Sequence, residues 1–179
     1  MGEILPLSGA HVCVSSWVRN SDNSIPAKAK INGSYVNASL MKNEALLNGF
    51  DDAIALDHNG HVAEGTVANI FVVRGGVLAT PDTSTDILEG ITRDSLLEIA
   101  PTLDLEVEER SIDRTELYKT EEAFLCGSSA RITPILSIDR RPIGAGRVGD
   151  TTEKLMQTYA DIQHGRNKTF SHWLTEVAS

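Results

Sequence analysis

The sequence predicts a mixed α/β (α+β) protein. Many short apolar segments have the alternation and the valine and isoleucine content of β-strands, and turn signals rich in glycine separate several of them. Helical patterns are interspersed among these strands without following each strand in turn, so a regular repeat of strand, helix and strand is not expected. The 179 residues are enough for one ordinary domain with a sizeable core.

The first predicted elements are a strand, a loop and a helix. Residues 10–18 alternate and are rich in valine, which is typical of a strand. A polar, proline-containing loop follows and leads to Lys28 and Lys30. Apolar residues at helical spacing predict a helix over 34–50, which Gly49 would end. The apolar residues that define this spacing are Val36, Leu40 and Leu47.

Strands and hairpins are predicted next. Residues 53–56 form a short apolar strand, and Asp57–Gly60 is predicted to be a tight hairpin because Asn59-Gly60 can supply positive φ angles. The Gly75-Gly76 pair is predicted to close a second hairpin. The strands joined by these turns lie at residues 61–64, 69–74 and 77–80.

Helices and strands alternate in the second half of the chain. Residues 88–98 are predicted as a turn leading into a helix. The residues available for its buried face are Ile91, Leu96, Leu97 and Ile99. Strands are predicted at residues 104–110, 122–126 and 132–138, and helical segments at 114–118, 151–162 and 170–177.

Composition excludes several classes of partner. The formal net charge is −9, which disfavours nucleic acid and anionic membranes. No apolar run approaches the length of a membrane span and the N-terminus has no signal-like pattern, so we expect a cytosolic protein. Cys13 and Cys126 lie in apolar segments and are predicted to be buried thiols without a disulfide. The histidines have no ligand spacing, and no metal is predicted.

Three ionisable residues stand in places where chemistry is possible. Lys30 precedes a glycine-containing turn, and partial burial would lower the pKa of its amine. Tyr35 opens the first helix, and Glu64 ends a strand. Taken singly, such residues are more often a surface lysine, a core tyrosine and an exposed carboxylate. Their function therefore depends on whether they come together.

Two other segments have the chemistry of anion sites. The residues around Gly90 and Thr92 offer free N–H groups, a hydroxyl and the positive end of a helix, although any helix begins in this way. Arg93 could bind an anion there or point outward and pair with an acid. The turn over 127–130 presents small hydroxyl residues after an apolar strand, which is also common in ordinary turns.

Four phrases in this order resemble the class IV (fold type IV) aminotransferases, and most closely the branched-chain amino acid aminotransferases. Residues 30–35 (KINGSY) resemble a phrase with a lysine five residues before a tyrosine, and residues 64–71 (EGTVANIF) resemble E-G-x-x-x-N-[IL]-F. Residues 88–94 (LEGITRD) match L-x-G-I-T-R-D. Residues 127–134 (GSSARITP) resemble G-T-A-A-E-I-T-P, with departures at Ser129 and Arg131.

The resemblance implies pyridoxal 5′-phosphate as the cofactor and gives each candidate a role. Lys30 would be the catalytic residue, which joins the cofactor as a Schiff base and then shuttles the proton. Tyr35 would hydrogen-bond the phenolic oxygen, and Glu64 would face the pyridine nitrogen. Leu88 would pack on the ring. The phosphate would be bound by Ile91, Thr92 and Ser128, and the substrate carboxylate by Ser129 and Ala130.

The resemblance also implies an architecture and a reaction. The large domain of this family is a distorted pseudo-barrel of mostly antiparallel strands with peripheral helices. Residues 10–179 would be this cofactor-binding domain, residues 1–9 a linker or remnant, and the N-terminal small domain with its phosphate-binding arginine would be missing. The intact enzyme would be a homodimer that moves the amino group of leucine, isoleucine or valine to 2-oxoglutarate. The alternatives are a D-amino acid aminotransferase, an aminodeoxychorismate lyase, or a catalytically silent domain.

Overall fold

A computed structural model describes residues 5–175, which form one curled sheet with helices around it. The strands are β1 (Ala10–Val18), β2 (Asp52–Leu56), β3 (Val62–Gly65), β4 (Asn69–Arg74), β5 (Val77–Thr80), β6 (Val107–Glu109), β7 (Glu122–Gly127), β8 (Arg131–Ile138) and β9 (Arg141–Pro142). The α-helices are α1 (Tyr35–Leu47), α2 (Ile91–Thr102) and α3 (Asp150–Gln163). Short 3₁₀ turns cover Asn32–Ser34, Arg114–Lys119 and Ser171–Trp173.

The sheet is mostly antiparallel and its two ends meet. Its strand order is β3-β2-β1-β8-β7-β4-β5-β6, with β9 paired to β8 outside this path. The pairs β1–β2, β1–β8 and β5–β6 are parallel, and the other pairs are antiparallel. Beyond β6, the Ile112 carbonyl accepts the Val62 N–H of β3 at 2.8 Å, and Asp113 pairs with His61. These contacts close the curl, and the predicted pseudo-barrel is confirmed.

Apolar side chains fill the inside of the curl and the spaces under the helices. One cluster joins residues of β1, β2, β4, β7 and β8 inside the sheet. A second lies between the sheet and helices α2 and α3, where the rings of Phe71 and Phe124 stack at 5.2 Å. A third, smaller cluster lies between α1 and the strands β1 and β2. The helices are therefore peripheral, as predicted.

Helix α1 packs on the sheet through small residues. Its buried residues are Ala38, Met41 and Ala45. The larger residues Val36 and Leu47, whose spacing predicted the helix, are 67% and 80% exposed and do not belong to its buried face. Small residues let the helix approach the sheet closely, and the Glu44 carboxylate fixes its rotation by accepting hydrogen bonds from Ser15 and Ser16 of β1. Several large apolar side chains are left facing solvent.

The two predicted hairpins differ in geometry. Gly75 and Gly76 have φ angles of 60° and 80° and close the tight β4–β5 hairpin, as predicted. Between β2 and β3 the predicted hairpin is present, since the strands pair antiparallel and the Asp57 N–H donates to the His61 carbonyl at 2.8 Å, but only Gly60 has a positive φ, of 86°. The Asp57 carboxylate instead accepts the backbone N–H groups of residues 59 and 61 and holds a longer loop.

Two further segments differ from the prediction. The strand predicted at 104–110 is limited to β6, and the helix predicted over 170–177 is wrong for its described part, which contains a short 3₁₀ turn. Residues 176 and 177 lie outside the described residues, as do residues 1–4. Strand β9 was not predicted, because Asp139 and Arg140 make its turn with φ angles of 49° and 61° that usually call for glycine. No helix within residues 5–175 is long and apolar enough to span a membrane.

Candidate active site

A cleft of about 290 Å³ opens where the loop before α1, the β3–β4 loop, the start of α2 and the end of β7 meet. The curled sheet brings these segments together from distant parts of the chain. The cleft is lined by every residue predicted to bind the cofactor: Lys30, Tyr35, Glu64, Leu88, Ile91, Thr92 and Ser128.

The Glu64 carboxylate is the most buried charged group of the cleft. The residue is the last but one of β3 and is 4% exposed. One of its oxygens pairs with the Arg19 guanidinium at 2.5 Å. The other accepts the Asn69 side-chain N–H at 2.9 Å and the Leu88 backbone N–H at 3.2 Å. The carboxylate is therefore held in one orientation, unlike an exposed carboxylate at the end of a strand.

The surroundings of Glu64 control its protonation. Burial raises its pKa to about 7, although the Arg19 guanidinium and the Leu88 N–H favour the charged form and oppose the rise. The carboxyl group thus titrates near neutral pH in the cofactor-free chain. A cation placed against it in the cleft would favour its ionised form.

This pKa predicts a pH dependence of stability. Between the ordinary pKa of 4.5 and about 7, the unfolded chain loses the Glu64 proton whereas the folded chain keeps it. Stability from Glu64 is therefore fully present below pH 4.5 and is lost as pH rises through about 7. Relative to Glu64→Gln, the free energy of unfolding of the cofactor-free chain is expected to fall by on the order of 3 kcal/mol across this range. Urea titrations of both chains between pH 4.5 and 8 test this prediction. A difference in the free energy of unfolding between the two chains that stays constant with pH would contradict it.

Sequence reasoning missed Arg19 as part of the site. Arg19 follows β1, is 8% exposed and also donates from Nε to the Asp86 carbonyl at 3.3 Å. No local signal links it to Glu64, since the two are brought together only because β1 and β3 flank β2 in the sheet. Asn69, which the phrase EGTVANIF contains, joins Glu64 to the Leu88 carbonyl at 2.8 Å. Arg19 balances the charge of the Glu64 carboxylate, and Asn69 holds the orientation of that carboxylate.

The start of α2 lies in the cleft with its backbone donors free of side-chain caps. Gly90 is the residue before the helix, and no side chain caps it. The first N–H groups of a helix have no intrahelical acceptor, so those of Ile91 and Thr92 remain available to an anion. Ile91 is 82% exposed, so its predicted place on the buried face is wrong. The buried face consists of Thr92, Arg93, Leu96, Ile99 and Ala100.

Gly90 allows the start of α2 to touch the side chain that aligns Glu64. A Cβ atom at this position would lie 2.2 Å from Asn69 Oδ1. Gly90→Ala is therefore expected to displace Asn69 and to lower the free energy of unfolding by about 1–3 kcal/mol. Gly33→Ala is the matched control, because a Cβ at Gly33 would meet no atom within 4 Å. Equal urea midpoints for the two variants would contradict this account of the packing.

Lys30 and Tyr35 lie at the rim of the cleft. Lys30 is exposed among the residues that the structure describes, so the partial burial that would favour its chemistry is not present there. It lies in the loop before the 3₁₀ turn at Asn32–Ser34, and within residues 5–175 the outer side of this loop faces solvent. Tyr35 is the first residue of α1 and is 39% exposed, so it is not a core tyrosine.

The turn between β7 and β8 contributes to the cleft at one residue. Ser128 lines the cleft, whereas Ser129 is exposed and Ala130 is buried, and neither of these two lines it. The Ala130 carbonyl accepts the Thr133 hydroxyl at 2.7 Å, which stabilises the turn. The residues predicted to receive the substrate carboxylate therefore lie beside the cleft.

Cys126 is a buried thiol among the residues that line the cleft. Burial raises the pKa of Cys126, and it also raises the pKa of Cys13 to about 11. Both cysteines are free and buried, as predicted. Neither thiol is activated for nucleophilic chemistry by these surroundings.

Arg93 combines features of the two alternatives left open by the sequence. It points inward, is 1% exposed and does not line the cleft, yet it pairs with an acid, Glu109, at 2.6 Å. It also donates to the Pro81 carbonyl at 2.9 Å. Arg93 is thus a buried contact behind the first turn of α2.

Comparison with known proteins defines the class. Residues 4–138 match the model of the amino-transferase class IV family, and the chain belongs to this family. It is similar to a probable branched-chain-amino-acid aminotransferase from Aquifex aeolicus (strain VF5), with 46% identity over 94% of this chain and 55% of that protein. It is also similar to a branched-chain-amino-acid aminotransferase from Pseudomonas aeruginosa, with 42% identity over 99% of this chain and 57% of that protein.

Solved structures show the same relationship. The branched-chain amino acid aminotransferase from Thermobaculum terrenum, solved in its PLP form, superposes with a TM-score of 0.92 and 46% identity over 93% of this chain and 55% of that chain. The branched-chain aminotransferase from Thermoproteus uzoniensis, solved with norvaline, superposes with a TM-score of 0.93. Its identity is 42%, over 97% of this chain and 58% of that chain. This chain spans about half the length of the relatives that it matches.

Proposed function

We propose that the chain is the cofactor-binding part of a pyridoxal 5′-phosphate-dependent branched-chain aminotransferase. The whole enzyme would transfer the amino group of leucine, isoleucine or valine to 2-oxoglutarate. The observation that carries this proposal is the cleft in which Lys30, the buried Glu64 and the start of α2 come together. Since the chain spans about half of its relatives, substrate turnover would also use residues from the other half.

The residues of the cleft fit this cofactor in their chemistry. Its volume of about 290 Å³ lies near the lower end of small-molecule sites. A carboxylate buried with its own positive partner suits a protonated ring nitrogen, and an uncapped helix start suits a phosphate. An exposed amine at the rim, on Lys30, suits covalent attachment to an aldehyde.

Each residue would then have one task. Lys30 would attach the cofactor and move a proton at its amine nitrogen. Glu64, held by Arg19 and Asn69, would stay ionised beside the ring nitrogen. Tyr35 would donate a hydrogen bond from its hydroxyl to the phenolic oxygen of the cofactor. Bound pyridoxal phosphate supplies the ring that accepts electrons from the amino acid. The remaining cofactor contacts would be apolar packing by Leu88 and phosphate binding by Ile91, Thr92 and Ser128.

The substrate end of the site would involve the β7–β8 turn. Ser129 and Ala130 are proposed to receive the substrate carboxylate, since they follow Ser128, which lines the cleft. The proposed preference for branched-chain substrates rests on the relatives, which are named as branched-chain-amino-acid aminotransferases.

Exposed apolar side chains around the cleft support a partner surface. They include Val67 at 55% exposure, which lines the cleft, and Ile31 at 42% and Val36 at 67%, which directly follow the lining residues Lys30 and Tyr35 in the chain. Apolar residues clustered around a site usually mark a surface that another structure covers. We propose that the small domain found in the family and a second copy of the chain cover it, in a cytoplasmic homodimer.

The test is formation of glutamate from leucine and 2-oxoglutarate by this chain combined with the small domain of a relative. Glutamate that depends on L-leucine supports the proposal. Formation with D-alanine in place of L-leucine would favour a D-amino acid aminotransferase, and cleavage of aminodeoxychorismate without amino-group transfer would favour an aminodeoxychorismate lyase. A second candidate is a silent domain that binds the cofactor without turnover. The exposure of Lys30 favours it, and a chain that is loaded but inactive with every amino acid would support it.

A further inference from the structure

We propose that Arg93 is a positioning residue that fixes the first turn of α2, so that the N–H groups of Ile91 and Thr92 meet the cofactor phosphate. The inference rests on the proposed function and adds a residue that lies outside the cleft. Arg93 touches none of the space that the cofactor would fill, since it is 1% exposed and does not line the cleft.

The contacts of Arg93 tie the start of α2 to the sheet. Its Nη2 atom donates to the Pro81 carbonyl at 2.9 Å and to Glu109 Oε2 at 2.6 Å. Pro81 directly follows β5, and Glu109 is the last residue of β6, the strand that pairs with β5 in parallel. One side chain therefore anchors the turn that carries the phosphate donors to the ends of two adjacent strands.

The contribution of Arg93 is mainly positional, because acidic neighbours balance most of its charge. Burial raises the pKa of Glu64, and Arg93 opposes this rise less than Arg19 and the Leu88 N–H do. Glu109 neutralises the guanidinium, and Asp94 lies 3.5 Å from Nη1. A guanidinium holds two acceptors in fixed directions, which the single ammonium of a lysine cannot reproduce.

Stability alone does not account for an arginine at this place. The Nε–H of Arg93 is buried and has no hydrogen-bond partner within residues 5–175. A buried donor without an acceptor costs free energy, and apolar residues often replace a buried ion pair without loss of stability. The two Nη2 contacts, which orient the helix start, are what the arginine provides.

The consequence is selective for the phosphate. Without Arg93, packing of Gly90 against Asn69 still holds the loop before α2, but the first turn loses its link to β5 and β6. The N–H groups of residues 91 and 92 would then meet a phosphate in poor geometry. Lys30 and Glu64 lie on other elements, so contacts to the rest of the cofactor would be retained.

The experiment compares pyridoxal phosphate with pyridoxal, which lacks the phosphate. Dissociation constants for both are measured by absorbance titration of the chain and of Arg93→Met, Arg93→Lys and Glu109→Gln. In Arg93→Met the preference for the phosphorylated form is expected to fall about tenfold, the loss of roughly one hydrogen bond to a charged group, while pyridoxal binding changes little. In Arg93→Lys and Glu109→Gln this preference for the phosphorylated form is expected to fall by less. Arg110→Met is the control, because Arg110 pairs with Glu116 at 2.5 Å and does not line the cleft.

Each outcome decides something. If the unsubstituted chain prefers pyridoxal phosphate and both Arg93 variants keep the full preference, the inference is overturned and the proposed function stands. An equal loss of both ligands would make the role merely structural and would also overturn it. If Arg93→Met does not fold, Glu109→Gln decides, because Glu109 is 46% exposed in its side chain and tolerates substitution. No preference in the unsubstituted chain would contradict the proposed function and the inference together.

Discussion

Replacing Lys30 with alanine is expected to abolish amino-group transfer by the assembled enzyme. Lys30 is the amine that the loop before α1 presents at the rim of the cleft, and Lys28 is held away from this task by its ion pair with Glu89 at 3.4 Å. The variant would lose both covalent attachment of the cofactor and the group that moves the proton. We expect the rate to fall by at least about 10³-fold, as for the loss of a proton-transfer group.

The matched control is Lys28→Ala. Lys28 is two positions away in the same loop and is also exposed, so its removal changes the charge of the rim equally. Its activity is expected to stay within about twofold of the unsubstituted enzyme, since an exposed ion pair contributes little. If Lys28→Ala and Lys30→Ala lost activity to the same extent, the assignment of Lys30 would be wrong.

Replacing Glu64 with glutamine is expected to separate cofactor attachment from turnover. The amide cannot balance a protonated ring nitrogen, so the electron-accepting ability of the ring would weaken. Lys30 lies on another element and would still form a covalent adduct that borohydride can trap. We expect kcat to fall by about 10²–10³-fold, the scale seen when one group that stabilises developing charge is removed.

Two measurements complete this test. Single-turnover rates with leucine, read beside the amount of trapped adduct, show whether the loss lies in chemistry or in binding. Glu89→Gln is the control, because Glu89 also lines the cleft but is exposed and has no contact with Arg19. Full activity in Glu64→Gln would mean that Glu64 is not the partner of the ring nitrogen.

Local patterns were sufficient to predict most of the elements, and the phrases that resemble the family were sufficient to predict seven of the residues that line the cleft. Short phrases with a fixed spacing place Lys30 five residues before Tyr35, and Gly90 just before a helix, whatever the rest of the chain does. The Gly75-Gly76 turn likewise needs only its own two residues to adopt positive φ angles. These features depend only on residues that are close together in the chain, so they can be recognised from the sequence.

Features that depend on packing could not be predicted. The rotation of α1 follows from the close approach that Ala38 and Ala45 allow, and the helical spacing of the larger Val36 and Leu47 does not specify which face is buried. The pairing of Arg19 with Glu64 depends on the order of three strands. The exposure of Lys30 depends on what covers the rim, which the spacing of residues does not encode.

The central claim is that the cleft preforms a site for pyridoxal phosphate with Lys30 as its amine. The most direct measurement is to mix the purified chain with one equivalent of pyridoxal phosphate, reduce with borohydride and locate the adduct by peptide mapping. The account predicts one adduct per chain, on Lys30, and its loss in Lys30→Ala with no change in Lys28→Ala. An absent adduct, or one spread over Lys28, Lys42 and other lysines, would contradict it.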